Sequence, residues 1–276
     1  MKMCSIASGS SGNCVYLETD ELSIIIDAGL SGKQIQNLLE TGGINPKKLD
    51  AILVTHEHAD HIKGVGVLSR RFHIPVYANL ETWRAMHLKI GNINSDMRMV
   101  FKNLQTFRLK DLEIKAIPLH HDAADPVGFT FISKDEKASL ITDTGFPDSR
   151  MMDEIANSDI YYFEANHDVE MLIKGPYPED LKARILSDHG HMSNRQAGLA
   201  LAELLRGKDE VVLLAHLSDK NNNPRICRDT VCRILRNDGF DTENNMKILP
   251  APRWEPSSIY SCIYEDKVEN EVRDED

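Results

Sequence analysis

The sequence predicts an α/β chain in which two sheets carry helices on their outer faces, a four-layered sandwich. Three observations point there. Short apolar runs alternate with segments of helical periodicity along most of the 276 residues. The second half repeats the order of the first in style, with no repeat of fixed period. Histidines and aspartates follow directly on several apolar runs, as ligand-bearing residues do at the strand ends of open α/β sheets.

The elements follow in order. Residues 14–18 and 22–27 read as a strand pair turning at Thr19, Asp20 and Glu21. A helix over 32–40 stops at Gly42 and Gly43. A short buried strand at 51–55 leads to a helix at 62–71, a strand at 75–78 and a helix at 80–89. Strands then dominate, at 105–109, 112–117, 127–133 and 138–142. A strand at 160–164 is followed by helices at 179–188 and 194–206, a strand at 210–216, a helix at 225–237 and a closing strand at 259–264. No Gly-, Ser- or Pro-rich linker intervenes, so residues 1–264 are read as one domain. Residues 265–276, nearly all charged or polar, are expected to form an acidic, disordered tail.

Composition narrows the class. A hydrophobic share of 41% supports a full core, and a formal net charge of -11 favours solubility. That charge weighs mildly against a nucleic-acid partner, although an average can hide basic patches. No apolar run is long enough to span a membrane, and residues 1–12 hold no secretory apolar region. Five cysteines, odd in number and without a CxxC pair, indicate a cytoplasmic chain with free or buried thiols.

The chemistry concentrates at His56, His58, Asp60 and His61, directly after the apolar run 51–54. One helix cannot converge residues at that spacing, whereas a tight loop leaving a strand can. Imidazole and carboxylate suit zinc, manganese or iron alike. Further candidates end other apolar runs: Asp27, His120 or His121, Asp143 and His216. Singly, each is more often a turn former, a helix cap or a surface residue. Their joint occurrence at strand ends marks a metal site on one rim of the sheets. No GxSxG nucleophile elbow and no P-loop are present. The loop Gly9-Ser10-Ser11-Gly12 reads equally as a flexible turn or as backbone N–H groups facing a substrate.

In this order, Asp27, His56-x-His58-x-Asp60-His61, His121, Asp143 and His216 resemble the metallo-β-lactamase superfamily. The resemblance implies a four-layered αββα fold with two divalent metal ions between the sheets. His56, His58 and His121 would bind the first ion. Asp60, His61 and His216 would bind the second, with Asp143 bridging and Asp27 orienting a ligand imidazole from behind. His121 is preferred over His120 because similar sequences place the ligand directly before a charged residue, here Asp122. Two such ions make a bridging hydroxide available at neutral pH and neutralise charge on a scissile phosphodiester, with the hydroxide attacking phosphorus.

Phe163-Glu164-Ala165 and Gly190-His191-Met192-Ser193 are similar to elements of RNase Z-like phosphodiesterases, which implies a proton relay of Asp60, Glu164 and His191 to the leaving oxygen. Only 21 residues separate His121 from Asp143, too few for the RNase Z exosite arm, and the stretch from Asp143 to His216 cannot hold a β-CASP domain. Flavodiiron proteins usually carry Glu where this chain has His58. Ser8-Gly9-Ser10-Ser11-Gly12-Asn13, Asp27-Ala28-Gly29-Leu30, Asn166-His167-Asp168, Gly175-x-Tyr177-Pro178 and Leu217-Ser218-x-x-Asn221-Asn222 are similar to the YycJ/WalJ (VicX) group of bacterial proteins. That group is linked to a cell-wall two-component system and includes 5′-to-3′ DNA exonuclease activity.

The expectation is therefore a dinuclear-metal phosphodiesterase acting on DNA, with Ser11, Asn13, His167 and Asn222 as substrate-rim candidates. The alternatives are a small-molecule hydrolase (of a cyclic phosphodiester, lactone or thioester) and a non-enzymatic regulator that keeps the metal for stability. Arg70, Arg71, Lys174, Lys182, Arg184 and Arg195 are candidate phosphate contacts, although each taken singly is more often a solvated helix-face residue.

Overall fold

A computed structural model describes residues 1–262. The tail expected at 265–276 and the end of the strand expected at 259–264 lie outside the described residues. The first half builds one sheet from β1 (Lys2–Ala7), β2 (Cys14–Glu18), β3 (Ser23–Ile26), β4 (Ala51–Leu53), β5 (Val76–Ala78) and β6 (Arg98–Val100). The second half builds another from β7 (Thr106–Leu109), β8 (Leu112–Pro118), β9 (Val127–Ser133), β10 (Glu136–Ile141), β11 (Ile160–Glu164), β12 (Glu210–Ala215) and β13 (Met246–Pro250). β14 (Tyr260–Ser261) crosses back to pair antiparallel with β1.

The central strands, β3 and β4 in one sheet and β11 and β12 in the other, are apolar on both faces because both faces are covered. Ile24 and Ile26 of β3, Tyr162 of β11 and Leu213 of β12 point into a core between the sheets. Their neighbours Ile25, Tyr161, Phe163, Val212 and Leu214 face the helices. On the first sheet these are α1 (Gly32–Thr41), α3 (Val65–Phe72) and α4 (Leu80–Ile90). On the second they are α5 (Ser149–Ile155), α8 (Asn194–Leu204) and α9 (Pro224–Asn237). Three apolar cores between four layers give the expected αββα sandwich. Each fully buried Leu, Ile or Phe contributes about 1.5–3 kcal/mol to it. No helix among the described residues is long and apolar enough to cross a membrane.

The pairing directions position the site. β3, β4, β5 and β6 run parallel, as do β10, β11, β12 and β13, whereas β1–β3 and β7–β10 pair antiparallel. The C-terminal ends of β3 and β4 therefore lie side by side, and so do those of β10, β11 and β12.

Several elements differ from the sequence expectation. β1 carries polar and cysteine positions in a short run, and its burial comes from pairing with both β2 and β14. β6, β13, α5 and a short α6 (Val169–Lys174) also carry no strong periodic signal. The helix expected at 62–71 is two, α2 (Ala59–Ile62) and α3, because the Gly64 N–H donates to Ala28 O at 2.7 Å. A Cβ on Gly64 would stand 2.6 Å from Leu30 O. Asp60 and His61 thus sit in a short helix rather than a loop. α7 spans Glu179–Ile185, shorter than expected.

Candidate metal centre

The backbone is bent where the polar side chains leave the sheets. Asp27 follows β3 with φ 61°, Asp143 follows β10 with φ 62°, and His216 follows β12 with φ 54°. All three occupy the left-handed region, uncommon for residues with a side chain. Gly29 lets α2 approach, since a Cβ there would lie 1.6 Å from Asp60 O. Across that contact Asn13 N donates to Asp60 O, Ala28 N to His61 O and Gly29 N to Asn13 O, each at 2.8 Å. The loop 9–12 is a hydrogen-bonded turn: Gly12 N donates to Gly9 O and Gly9 N to Asn13 Oδ1, leaving Ser10 and Ser11 exposed at its tip.

Hydrogen bonds hold the imidazoles so that particular nitrogens are left bare. Asp27 accepts from Thr55 N at 2.9 Å, Thr55 Oγ1 at 2.8 Å and His61 Nδ1 at 2.7 Å. Because the Thr55 hydroxyl hydrogen goes to Asp27, its oxygen accepts from His56 Nδ1 at 3.0 Å. His121 Nδ1 donates to Gly190 O at 3.2 Å, and His216 Nδ1 lies 3.0 Å from Asp143 Oδ1 and 3.2 Å from Glu164 Oε1. In all four rings Nδ1 is engaged, which turns the Nε2 lone pair inward. This is the way metal-binding histidines are held.

These bare atoms converge. His56 Nε2, His216 Nε2 and Asp143 Oδ2 are buried without a hydrogen-bond partner. His121 Nε2 stands 3.3 Å from His58 Nδ1. Two nitrogens on one tetrahedral zinc are separated by about 3.3 Å. His61 Nε2 is 3.2 Å from Asp143 Oδ2 and 3.6 Å from Asp60 Oδ2, and His216 Nε2 is 3.6 Å from Asp60 Oδ2. Donor atoms group as His56, His58 and His121, as Asp60, His61 and His216, as His56, His61 and Asp143, and as Asp143, Glu164, His191 and His216. Orphaned buried donors at ligand spacing are what a bound divalent cation satisfies, so the residues fit one. His120 takes no part: its Nε2 donates to Asp148 Oδ2 at 2.7 Å and its ring stacks on Phe146.

The electrostatics favour a cation. Burial opposes charge on His61, but Asp143, Asp27 and Asp60 outweigh it and push its pKa well up. Burial likewise opposes charge on His216, against which Asp143, Asp60 and Glu164 raise it. His56 is pushed well below the usual histidine value, first by burial and then by His61, so it offers a neutral nitrogen.

Beside this cluster lies a second pair. His191 Nδ1 donates to Glu164 Oε1 at 2.7 Å, and Glu164 Oε2 accepts from Thr144 N at 3.0 Å and Met192 N at 3.2 Å. Burial opposes ionisation of Glu164, yet His191 and His216 overcome it and lower its pKa to about 2. The His191 side chain keeps 20% exposure while Glu164 has none. Asp60, expected to join this pair in a relay, is separated from it by one imidazole. His216 touches Asp60 through Nε2 and Glu164 through Nδ1.

The remaining candidates divide. Asn13 joins the cluster, its Nδ2 lying 3.0 Å from His61 Nε2. Asn222 spends its carboxamide on structure, Nδ2 donating to Ala165 O and Asn166 O, with Asn194 paired to it in both directions. His167 is 1% exposed, with neither ring nitrogen partnered, and burial lowers its pKa to about 4. Arg184 pairs with Asp122, Lys182 with Glu179, Lys174 with Glu170, and Arg70 caps the carbonyls of Ile90 and Asn92. The sequence reading passed over Thr55, which joins Asp27 to two imidazoles. Its position directly before His56 was the available sign.

Residues 7–216 match the metallo-beta-lactamase superfamily. The chain is 45% identical over 254 residues to the exodeoxyribonuclease YycJ of Bacillus anthracis, covering 92% of this chain and 96% of that one. It is 43% identical over 236 residues to the exodeoxyribonuclease WalJ of Streptococcus pneumoniae, covering 85% and 88%. Among solved structures it resembles YhfI of Bacillus subtilis, a metallo-beta-lactamase fold protein, with TM-score 0.66 and 18% identity over 93% of this chain and 98% of that one. It also resembles the short form of human tRNase Z, with TM-score 0.63 and 18% identity over 95% and 100%.

Proposed function

This chain belongs to the metallo-β-lactamase superfamily, and from that premise we propose that it is a metal-dependent DNA exonuclease of 5′-to-3′ polarity. It is a hydrolase whose chemistry rests on one domain, residues 1–264. His56, His58 and His121 hold a first divalent ion, zinc, manganese or iron. Asp60, His61 and His216 hold a second, with Asp143 shared. When bound, the ions supply Lewis acidity and an activated water.

The observation that carries the reading is the Glu164–His191 pair at 2.7 Å against the donor cluster. Glu164, kept ionised against the cost of burial by His191 and His216 and by its backbone N–H donors, fixes the His191 ring through Nδ1. His191 Nε2 is then the free donor for an oxygen leaving phosphorus. Lactone and thioester hydrolysis has less need of such an acid. Near-full-length similarity to two exodeoxyribonucleases supports DNA as the substrate. Five free, buried thiols agree with a reducing, cytoplasmic setting.

The test is metal-loaded full-length protein on 5′-labelled DNA, set against cyclic nucleotide and lactone substrates. Release of label as mononucleotide, weakening with salt as phosphate contacts do, is the expected result. Efficient lactone turnover with no phosphodiester cleavage refutes the reading.

A further inference from the structure

A cavity of about 190 Å³ opens from the metal cluster on the side of His191 and His121. Leu181 and Ile185, one turn apart on α7, give it apolar walls. Tyr177 adds the one aromatic ring in its lining that is not an imidazole, and Asn166 and Ser218 line it with polar groups. The volume lies below the range of drug-sized ligand sites. That is space for a single nucleoside and not for a strand. Arg184 lines it too, but its guanidinium is already held by Asp122 at 2.5 Å.

We propose that this cavity receives the 5′-terminal nucleoside of the DNA, stacked on Tyr177, and that its size confines cleavage to one nucleotide at a time. The proposal rests on the exonuclease reading above. The acid that protonates the leaving oxygen must touch the departing fragment, and His191 forms part of the cavity wall. The departing fragment therefore lies in the cavity. Hydroxide from water adds to phosphorus, the bond from phosphorus to the 3′ oxygen of the terminal nucleotide breaks, and that oxygen takes a proton from His191. The remaining proton of the water passes to solvent. The nucleotide leaves with a 3′ hydroxyl, and the shortened strand carries a new 5′ phosphate ready for the next cycle. Ser10, Asp122, His189 and Ser218 also line the cavity and Asn166 Nδ2 is spent on His216 O, so the stacking face of the Tyr177 ring, which any base can use, is the contact the proposal relies on.

The experiment uses full-length, manganese-loaded protein and two single-stranded oligonucleotides, one with an ordinary 5′ nucleotide and one whose 5′ nucleotide is abasic. For the wild type, removal of the terminal base should lower kcat/KM roughly 5- to 150-fold, the range of base–aromatic stacking. Tyr177→Ala should cause a similar loss on the ordinary strand. The two losses should not multiply: the variant on the abasic strand should lose no more than either change alone. Tyr177→Phe should restore most of the activity, which separates stacking from misfolding. Multiplying losses, an undiminished Tyr177→Ala, or a Phe variant as poor as Ala each overturn the proposal while leaving the exonuclease reading intact. A wild type that cleaves no DNA overturns that reading, and this one with it.

Discussion

His167 gives the sharpest quantitative expectation. Its ring is 1% exposed, both nitrogens lack partners, and its pKa is lowered to about 4. The folded protein holds it neutral, whereas the unfolded chain protonates it near its ordinary value of about 6.5. Between those values the unfolded state binds more protons. Its contribution therefore destabilises the fold as pH falls from about 6.5 toward 4. The full difference is about 3 kcal/mol, of which about 2 kcal/mol is lost between pH 7.5 and 5.0. His167→Phe removes the titration and the two unmet polar atoms. Urea unfolding of wild type and variant, at both pH values and equal metal concentration, isolates the term from the other histidines. The stability difference should move in favour of the variant by about 2 kcal/mol at the lower pH. A difference that stays constant within about 0.5 kcal/mol refutes the reasoning and implies that His167 has a partner in solution.

Three further outcomes follow from the site. His191→Ala should lower kcat by about 10²–10⁴-fold on DNA and by much less on a nitrophenyl phosphodiester, whose leaving group needs no proton, with metal content unchanged by elemental analysis. Equal losses on both substrates would make His191 a positioning residue. His58→Ala should lose one of two ions and most activity while circular dichroism stays native; metal-replete wild type holding fewer than two ions contradicts the arrangement. Asp27→Asn should weaken metal affinity about 10–100-fold by loosening His61, read by competition with a chelator.

The layer order and the donor set were legible because they depend on local pattern. Continuous apolar runs such as 24–26 and 211–215 report strands buried on both faces, and the residues after them, Asp27 and His216, enter the candidate site. What was not legible depends on contacts distant in sequence. β1 is a strand because β2 and β14 pair with it, and the latter lies more than 250 residues away. The break between α2 and α3 is set by the carbonyl of Ala28, and the choice of His121 over His120 by the carboxylate of Asp148 and the carbonyl of Gly190. His167 shares a motif with Asn166 and Asp168, and no spacing rule tells a rim residue from a buried ring.

The left-handed conformations of Asp27, Asp143 and His216 bear on how this protein can change. Each such residue holds about 1–3 kcal/mol of backbone strain that exists only to aim a side chain. Substitution by β-branched residues is closed at these positions, since the added methyl would meet the backbone. Glycine is open, because it relaxes the turn while deleting the side chain that the site uses. Selection for stability alone would therefore drift toward inactive sequences at the three corners. At such a corner a side chain that serves the site costs the fold stability, a local conflict between robustness and activity. An Asp143→Gly chain is the place to see it: it sheds the strain but also the carboxylate that offsets charge on His61 and His216, so any gain in metal-free melting temperature over wild type should appear at high pH, where those imidazoles are neutral, and it should catalyse nothing.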